Sequence, residues 1–170
     1  MRLEMDASAR AEILSDIDRV ERILRSGIFS IEQQENPLVI SALIELLIRT
    51  RDLLAKAEKF SRRVSFKDYV VFTSKIQDVT DLIVFARDCA CHIDSFKHGI
   101  DDQRIRVSFN LLYGAGVFAK LGERRLESQY GDEVAFFFGE QRVYLYRHIL
   151  RAYKEAVTRL HPLSQIGVDA

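Results

Sequence analysis

Between Ser74 and Lys97 the chain reads SKIQDVTDLIVFARDCACHIDSFK, and its apolar spacing admits little besides a helix. At about 100° per residue, Val79, Leu82, Ile83, Ala86, Ala90 and Ile93 fall on one stripe, which Phe85, Cys89 and Phe96 widen. Such a stripe belongs in a core. Ser74 followed three residues later by Gln77 reads as a capping box, and Gly99 as the stop. The spacing therefore predicts a helix over 74–97, about six turns long, in the middle of a bundle. The opposite face carries Asp81, Val84, Arg87, Asp88, Cys91, His92 and Ser95, with neither Lys nor Glu. A freely solvated face is normally rich in both, so this composition predicts a partly covered surface, with a second copy of the helix as its cover.

Helical spacing recurs in three other segments. One is 7–26, with Ile13, Leu14, Ile17, Val20, Ile23 and Leu24 on one side. Another is 37–60, where Asn36-Pro37 supplies an N-cap followed by proline at the first position. The last is 139–160, with Val143, Tyr146, Ile149, Leu150, Tyr153, Ala156 and Leu160, closed by Pro162. Ser65 with Asp68 suggests one further short turn. At Arg104 the period changes: Ile105, Val107, Phe109 and Leu111 alternate with polar residues, as in a half-buried strand. Gly114-Ala115-Gly116 then makes a turn to a return strand over Val117–Leu121. Leu126–Tyr130 is a weaker strand, Gly131-Asp132 a turn, and Glu133–Phe138 a further strand. The expected fold class is mainly α. It is an antiparallel bundle of about four helices with a small antiparallel β insertion at about 104–138, and 1–170 form a single domain.

Composition bounds the function. Lys plus Arg balance Asp plus Glu at 25 each, so no global basic field argues for nucleic acid and only local patches remain. One such patch is Lys56, Lys59, Arg62, Arg63 and Lys67. Its ordinary reading is a helix end complementing its own dipole; its functional reading is phosphate contact, with Lys59, Arg62 and Arg63 holding RNA. No apolar run is long enough to span a membrane, and MRLEMDASARAEI lacks the apolar core of a secretory signal. Cys89 and Cys91 point about 200° apart on a helix and cannot pair, which suits a reduced, cytoplasmic setting. With no second Cys/His cluster beside Cys89, Cys91 and His92, no metal or cofactor is expected. No nucleotide-binding glycine loop, zinc-protease motif or nucleophile elbow is present.

The chemistry-bearing cluster is Arg87, Asp88 and His92. His92 supplies an imidazole, the side-chain type most used as a proton shuttle. Arg87 offers a permanent cationic fork for a phosphate. Asp88, four residues before His92, shares its face and is placed to orient it. Arg87 and His92 are five apart, roughly 140° around the axis, so two crossed copies of the helix would present them together. The ordinary reading is a helix-surface ion pair. A second cluster, Arg147, His148 and Arg151, reads as a solvated ion-pair face.

On these residues the chain resembles the HEPN superfamily (higher eukaryote and prokaryote nucleotide-binding domains). Its motif is Arg, four to six residues, then His, often with a polar residue after the Arg; Arg87, Asp88 and His92 match in type and order. The resemblance implies an all-α bundle and a metal-independent endoribonuclease with a composite site at a homodimer interface. Members without catalysis imply the alternative of a nucleotide-binding, RNA-binding or protein-interaction module. A toxin branch carries Tyr two residues after the His, where this chain has Asp94, so that role does not carry over. RNA is the implied substrate, a cognate antitoxin or other partner protein is possible, and no membrane is involved.

Overall fold

The computed structural model describes residues 5–92, 97, 99–100, 105–107 and 110–165, with the side chains of 162–165 left aside. Among the described residues, four α-helices and seven strands follow one another: α1 (Ala7–Arg25), α2 (Leu38–Phe60), α3 (Val79–Cys91), β1 (Gly99–Ile100), β2 (Ile105–Arg106), β3 (Asn110–Tyr113), β4 (Gly116–Leu121), β5 (Arg124–Ser128), β6 (Val134–Phe138), β7 (Gln141–Tyr144) and α4 (Arg151–Gln165). A π-helical segment, Leu145–Leu150, precedes α4. The strands make three antiparallel sheets, β1-β2, β3-β6-β7 and β4-β5. The expectation of a mainly α bundle with a small insertion is thus corrected to a mixed α and β fold. Among the described residues, no helix is long and apolar enough to cross a membrane.

The chain divides into two compact units, residues 1–66 with 151–170, and residues 67–150. The first is helical. Asp6 caps α1, its carboxylate accepting the Ala9 N–H at 2.7 Å. Pro37 stands at the N-cap of α2, one residue later than the Asn-Pro pair predicts, and the Asn36 side-chain oxygen accepts the Leu38 N–H at 2.9 Å. On α2 the buried positions Leu43, Leu46, Leu47, Leu53, Leu54 and Ala57 wrap more than one side. They face α1, which buries Ile13 and Val20, and α4, which buries Ala152, Ala156 and Leu160. Each fully buried leucine contributes about 1.5–3 kcal/mol. The α4 helix passes through Pro162 to Gln165, past the stop expected there.

The second unit departs further from the expected pattern. The central helix is shorter than 74–97. Thr73 Oγ1 accepts the N–H groups of Lys75 and Ile76 at 3.2 and 3.1 Å, a local alternative to helical bonding. Asp78 is the cap, its side chain accepting the Asp81 N–H at 3.0 Å. The helix ends at Cys91, with His92 as C-cap at φ −126°, ψ 85°. Ile93, Asp94, Ser95 and Phe96 lie outside the described residues. Gly99 opens β1 instead of stopping a helix.

The predicted strand from Arg104 is two short strands in different sheets. β3 pairs with β6, placing Leu111 opposite Phe136, and β4 pairs with β5, not with the strand before it. Nor does Gly139 start a helix. Gly139-Glu140 is a two-residue hairpin loop joining β6 to β7, with Phe138 opposite Gln141 and Gly139 at φ +56°, the conformation such turns demand of their first residue. Phe137 and Tyr144 are buried with Ile100, Val107, Leu126 and Ala135 as a core within this unit.

Candidate functional site

Arg87 and Asp88 sit on the last turn of α3, both partly exposed, at 27% and 30% of their side-chain surfaces. Arg87 Nη1 donates to Asp88 Oδ1 at 3.0 Å. Lys97 Nζ donates to the other carboxylate oxygen, Oδ2, at 2.9 Å. One carboxylate therefore holds two cations side by side at the C-terminal end of a helix, where the dipole favours positive charge. On an unbroken helix Lys97 would lie about 13 Å along the axis from Asp88. The contact exists because α3 stops at Cys91.

His92 is exposed at the helix end, and its backbone N–H donates to the Asp88 carbonyl at 3.1 Å. Its extended backbone removes the premise of the 140° separation from Arg87, which assumed a helical His92. The bonds described for the Asp88 carboxylate run to Arg87 and Lys97, so its positioning role falls on the cations. Sequence reasoning found Arg87, Asp88 and His92 together, but missed Lys97, which nothing in helical spacing brings to Asp88.

Gly139 fixes the other side of Lys97. A Cβ built on Gly139 would collide with the Lys97 carbonyl oxygen, and the Gly139 N–H donates to the Val107 carbonyl at 2.9 Å. Only glycine permits this close backbone approach. The hairpin loop thereby buttresses the segment that carries Lys97.

Beside these residues a pocket of about 360 Å³ opens along α3. Asp81, Val84 and Phe85 line it from the helix, at the i, i+3 and i+4 positions of one face, and Lys97 lines it too. The Lys97 ammonium lies 5.4 Å from the centre of the Phe85 ring. Pocket and cation pair are therefore continuous through Lys97.

Cys89 is buried and Cys91 exposed, and neither is in a disulfide. Burial pushes the Cys89 thiol up to about 12, which makes it a core residue and no nucleophile. Among the described residues, no group of three or more His, Cys, Asp or Glu converges as a metal set would.

The other charged candidates take different places. Lys59 and Arg62 are exposed, Arg63 pairs with Glu58 at 3.0 Å, and all three belong to the helical unit. Lys56 is drawn into an acidic cluster of Glu12, Asp16 and Asp52. The predicted solvated ion-pair face at Arg147, His148 and Arg151 holds at Arg151, which pairs with Glu155 at 3.3 Å, and fails at the other two. His148 is fully buried, with Nδ1 accepting the Tyr144 N–H at 3.0 Å. Arg147 bonds Glu133 at 3.2 Å and covers the Tyr130 ring at 3.8 Å, and Arg151 covers Phe66 at 3.8 Å.

No family model matches the chain, and no curated protein or solved structure matches it.

Proposed function

We propose that the C-terminal end of α3 is an RNA-phosphate site at which Arg87 and Lys97 hold the phosphate and His92 moves the proton. The observation that carries this reading is the pair of cations bound to a single carboxylate next to an exposed imidazole. Two cations with one intervening carboxylate leave a net positive site, matched to a phosphodiester. The reading keeps the HEPN-like motif and sets aside the bundle once expected around it.

In the reaction, the ribose 2′-oxygen forms a bond to phosphorus and the bond to the 5′-oxygen breaks. The 2′-hydroxyl proton passes through imidazole to the departing 5′-oxygen, and the product end is a 2′,3′-cyclic phosphate. Charge building on the non-bridging oxygens is met by Arg87 and Lys97, held in place by Asp88. His92, Arg87 and Asp88 are the residues assigned by this chemistry, and Lys97 joins them. The residue types suit the reduced interior of a cell, where Cys89 and Cys91 stay thiols.

The same face supports a homodimer. Val84 and Asp88 are half-buried and Cys91 is exposed; α3 itself contributes no Lys or Glu there, and the one Lys that reaches the face, Lys97, is held by Asp88. Two copies meeting there would place Arg87 of one beside His92 of the other. A dimer by light scattering at micromolar concentration, weakened by Cys91→Arg, supports this assembly, and a monomer contradicts it.

The test of function is purified protein incubated with RNA in EDTA, beside His92→Ala. Wild type should leave cyclic-phosphate ends and the variant none, at an unchanged melting temperature. Arg87→Lys should also fall sharply, because an ammonium lacks the bidentate fork. Asp88→Asn should lower kcat with KM unchanged or improved, since it removes a negative charge while loosening both cations. Equal activity in wild type and His92→Ala would remove the proton-shuttle role.

A further inference from the structure

We infer that the pocket along α3 is a nucleobase subsite, taking the base next to the phosphate held by Arg87 and Lys97. The inference rests on the reading of α3 as an RNA site and adds to it where specificity is read. A cavity of about 360 Å³ is of the size that encloses small organic ligands. Lys97 belongs to both places: it bonds Asp88 at 2.9 Å and lines the pocket. A phosphate on the cation pair therefore leaves its own nucleoside within reach of the cavity.

The lining suits a flat, polar-edged ring. Ile76 is buried, and Val84 and Phe85 are half-buried, giving apolar and aromatic surface on which any base can stack. Polar groups stand around it: Asp81 from α3, and Glu140 and Gln141 from the hairpin loop and β7. Gln141 is 4% exposed, and its Oε1 meets no hydrogen-bond donor among the described residues. A buried acceptor without a donor asks for an explanation. A base carrying an exocyclic amino group supplies that donor once the amide turns about its terminal torsion, which is broad and nearly two-fold. Asp81 and Glu140 add acceptors of the same kind. The site therefore selects adenine, cytosine or guanine over uracil, the one RNA base with no amino group.

The test uses full-length His92→Ala, which binds without cleaving, and calorimetric titration with AMP, CMP, UMP and ribose 5-phosphate. AMP and CMP should bind about tenfold more tightly than ribose 5-phosphate, with UMP between them. Val84→Trp, which fills the cavity, should bring all four to the affinity of ribose 5-phosphate. Independently of any change in the pocket, the Ile76 methyl resonance should shift with AMP and stay fixed with ribose 5-phosphate. Equal binding of all four probes, an unmoved Ile76 methyl at saturating AMP, or base-dependent binding that survives in folded Val84→Trp would overturn the proposal. RNA cleavage by wild type without base-dependent binding would overturn the subsite alone. Base-dependent binding without cleavage would uphold the subsite and remove the nuclease reading.

Discussion

The helical unit and the mixed unit each bury a carboxylate, and they employ it differently. In the helical unit Asp16, almost wholly buried on α1, is shared by Arg49 at 3.0 Å and Lys56 at 3.3 Å on α2. Lys56 in turn binds Glu12 and Asp52, and Arg49 binds Glu45. Charge there ties side chain to side chain between two helices. In the mixed unit Glu133, with none of its side chain exposed, serves the backbone. It accepts N–H groups from Val134, Tyr146 and Arg147 at 2.9 to 3.0 Å, and the Arg147 guanidinium at 3.2 Å. It caps the π-helical segment and so fixes where the last strand becomes a helix. The helical unit places charge at the seam between two helices; the mixed unit places it at the junction where β7 passes into the π-helical segment.

The sharpest way to break this comparison is to delete the buried carboxylate that serves the backbone and, in the helical unit, a part-solvated carboxylate of the charged seam, Glu45. Glu133→Ala should cost about 3–5 kcal/mol, because it leaves a guanidinium and backbone donors without their buried partner. Glu45→Ala in the helical unit, where the carboxylate stays partly solvated, should cost less than about 1 kcal/mol. Urea unfolding of both variants measures the ratio. Similar losses would mean that Glu133 is not the organising group argued here.

The next effect concerns two glycines with positive φ. Gly27, at φ +70°, has nothing within 4 Å of a built Cβ, whereas Gly139 faces the Lys97 carbonyl. Gly27→Ala should therefore cost only the backbone strain, about 1–2 kcal/mol. Gly139→Ala should cost more and should also displace Lys97 from Asp88, lowering RNA affinity to the same extent that Lys97→Ala should. Equal stability losses in thermal unfolding, with RNA affinity untouched by Gly139→Ala, would separate the hairpin loop from the site.

The smallest effect is one of pH. Burial, together with the neighbouring Asp52 carboxyl, raises Asp16 above the usual 3.8 against the pull of Arg49 and Lys56. The native state thus holds this proton to higher pH than the unfolded chain. Its contribution to stability is full below 3.8 and declines as pH rises through the raised value. Asp52 is shifted the other way: burial opposes, but bonds from Lys56 and Asp16 prevail. Its contribution is present above 3.8 and lost as pH falls through the lowered value. Asp16→Asn should remove the decline on the rising side and keep the acid loss. A stability profile unchanged by Asp16→Asn would contradict the assignment.

The two units also differ in how far their sequence could be read. α1 and α2 lie within two residues of their expected ends, because a 3.6-residue period over five or six turns is a long signal and Asn36-Pro37 punctuates it. α3 was misjudged at its start because Ser74–Gln77 and Asp78–Asp81 share the same three-residue spacing. Only the Asp78 pair forms a cap, since Thr73 has already claimed the backbone before it. β7 reads as helix in the sequence because Val143, Tyr146, Ile149 and Leu150 keep helical spacing across the π-helical segment. A four-residue strand before them is too short to announce its own period. At the site, Arg87, Asp88 and His92 were legible as a local motif. Lys97, Gly139 and Gln141 were not, since each depends on where an element ends and which strand pairs with which.

The central claim is that Arg87 and His92 serve one phosphate, and mixing two inactive variants tests most directly whether they do so from two copies of the chain. Arg87→Ala and His92→Ala, each silent alone, are combined, dissociated and reassociated, then given RNA in EDTA. A two-fold dimer with shared sites forms heterodimers holding one intact site, so about a quarter of wild-type activity should return. A mixture as silent as its components, in protein shown to have exchanged subunits, would contradict the shared site.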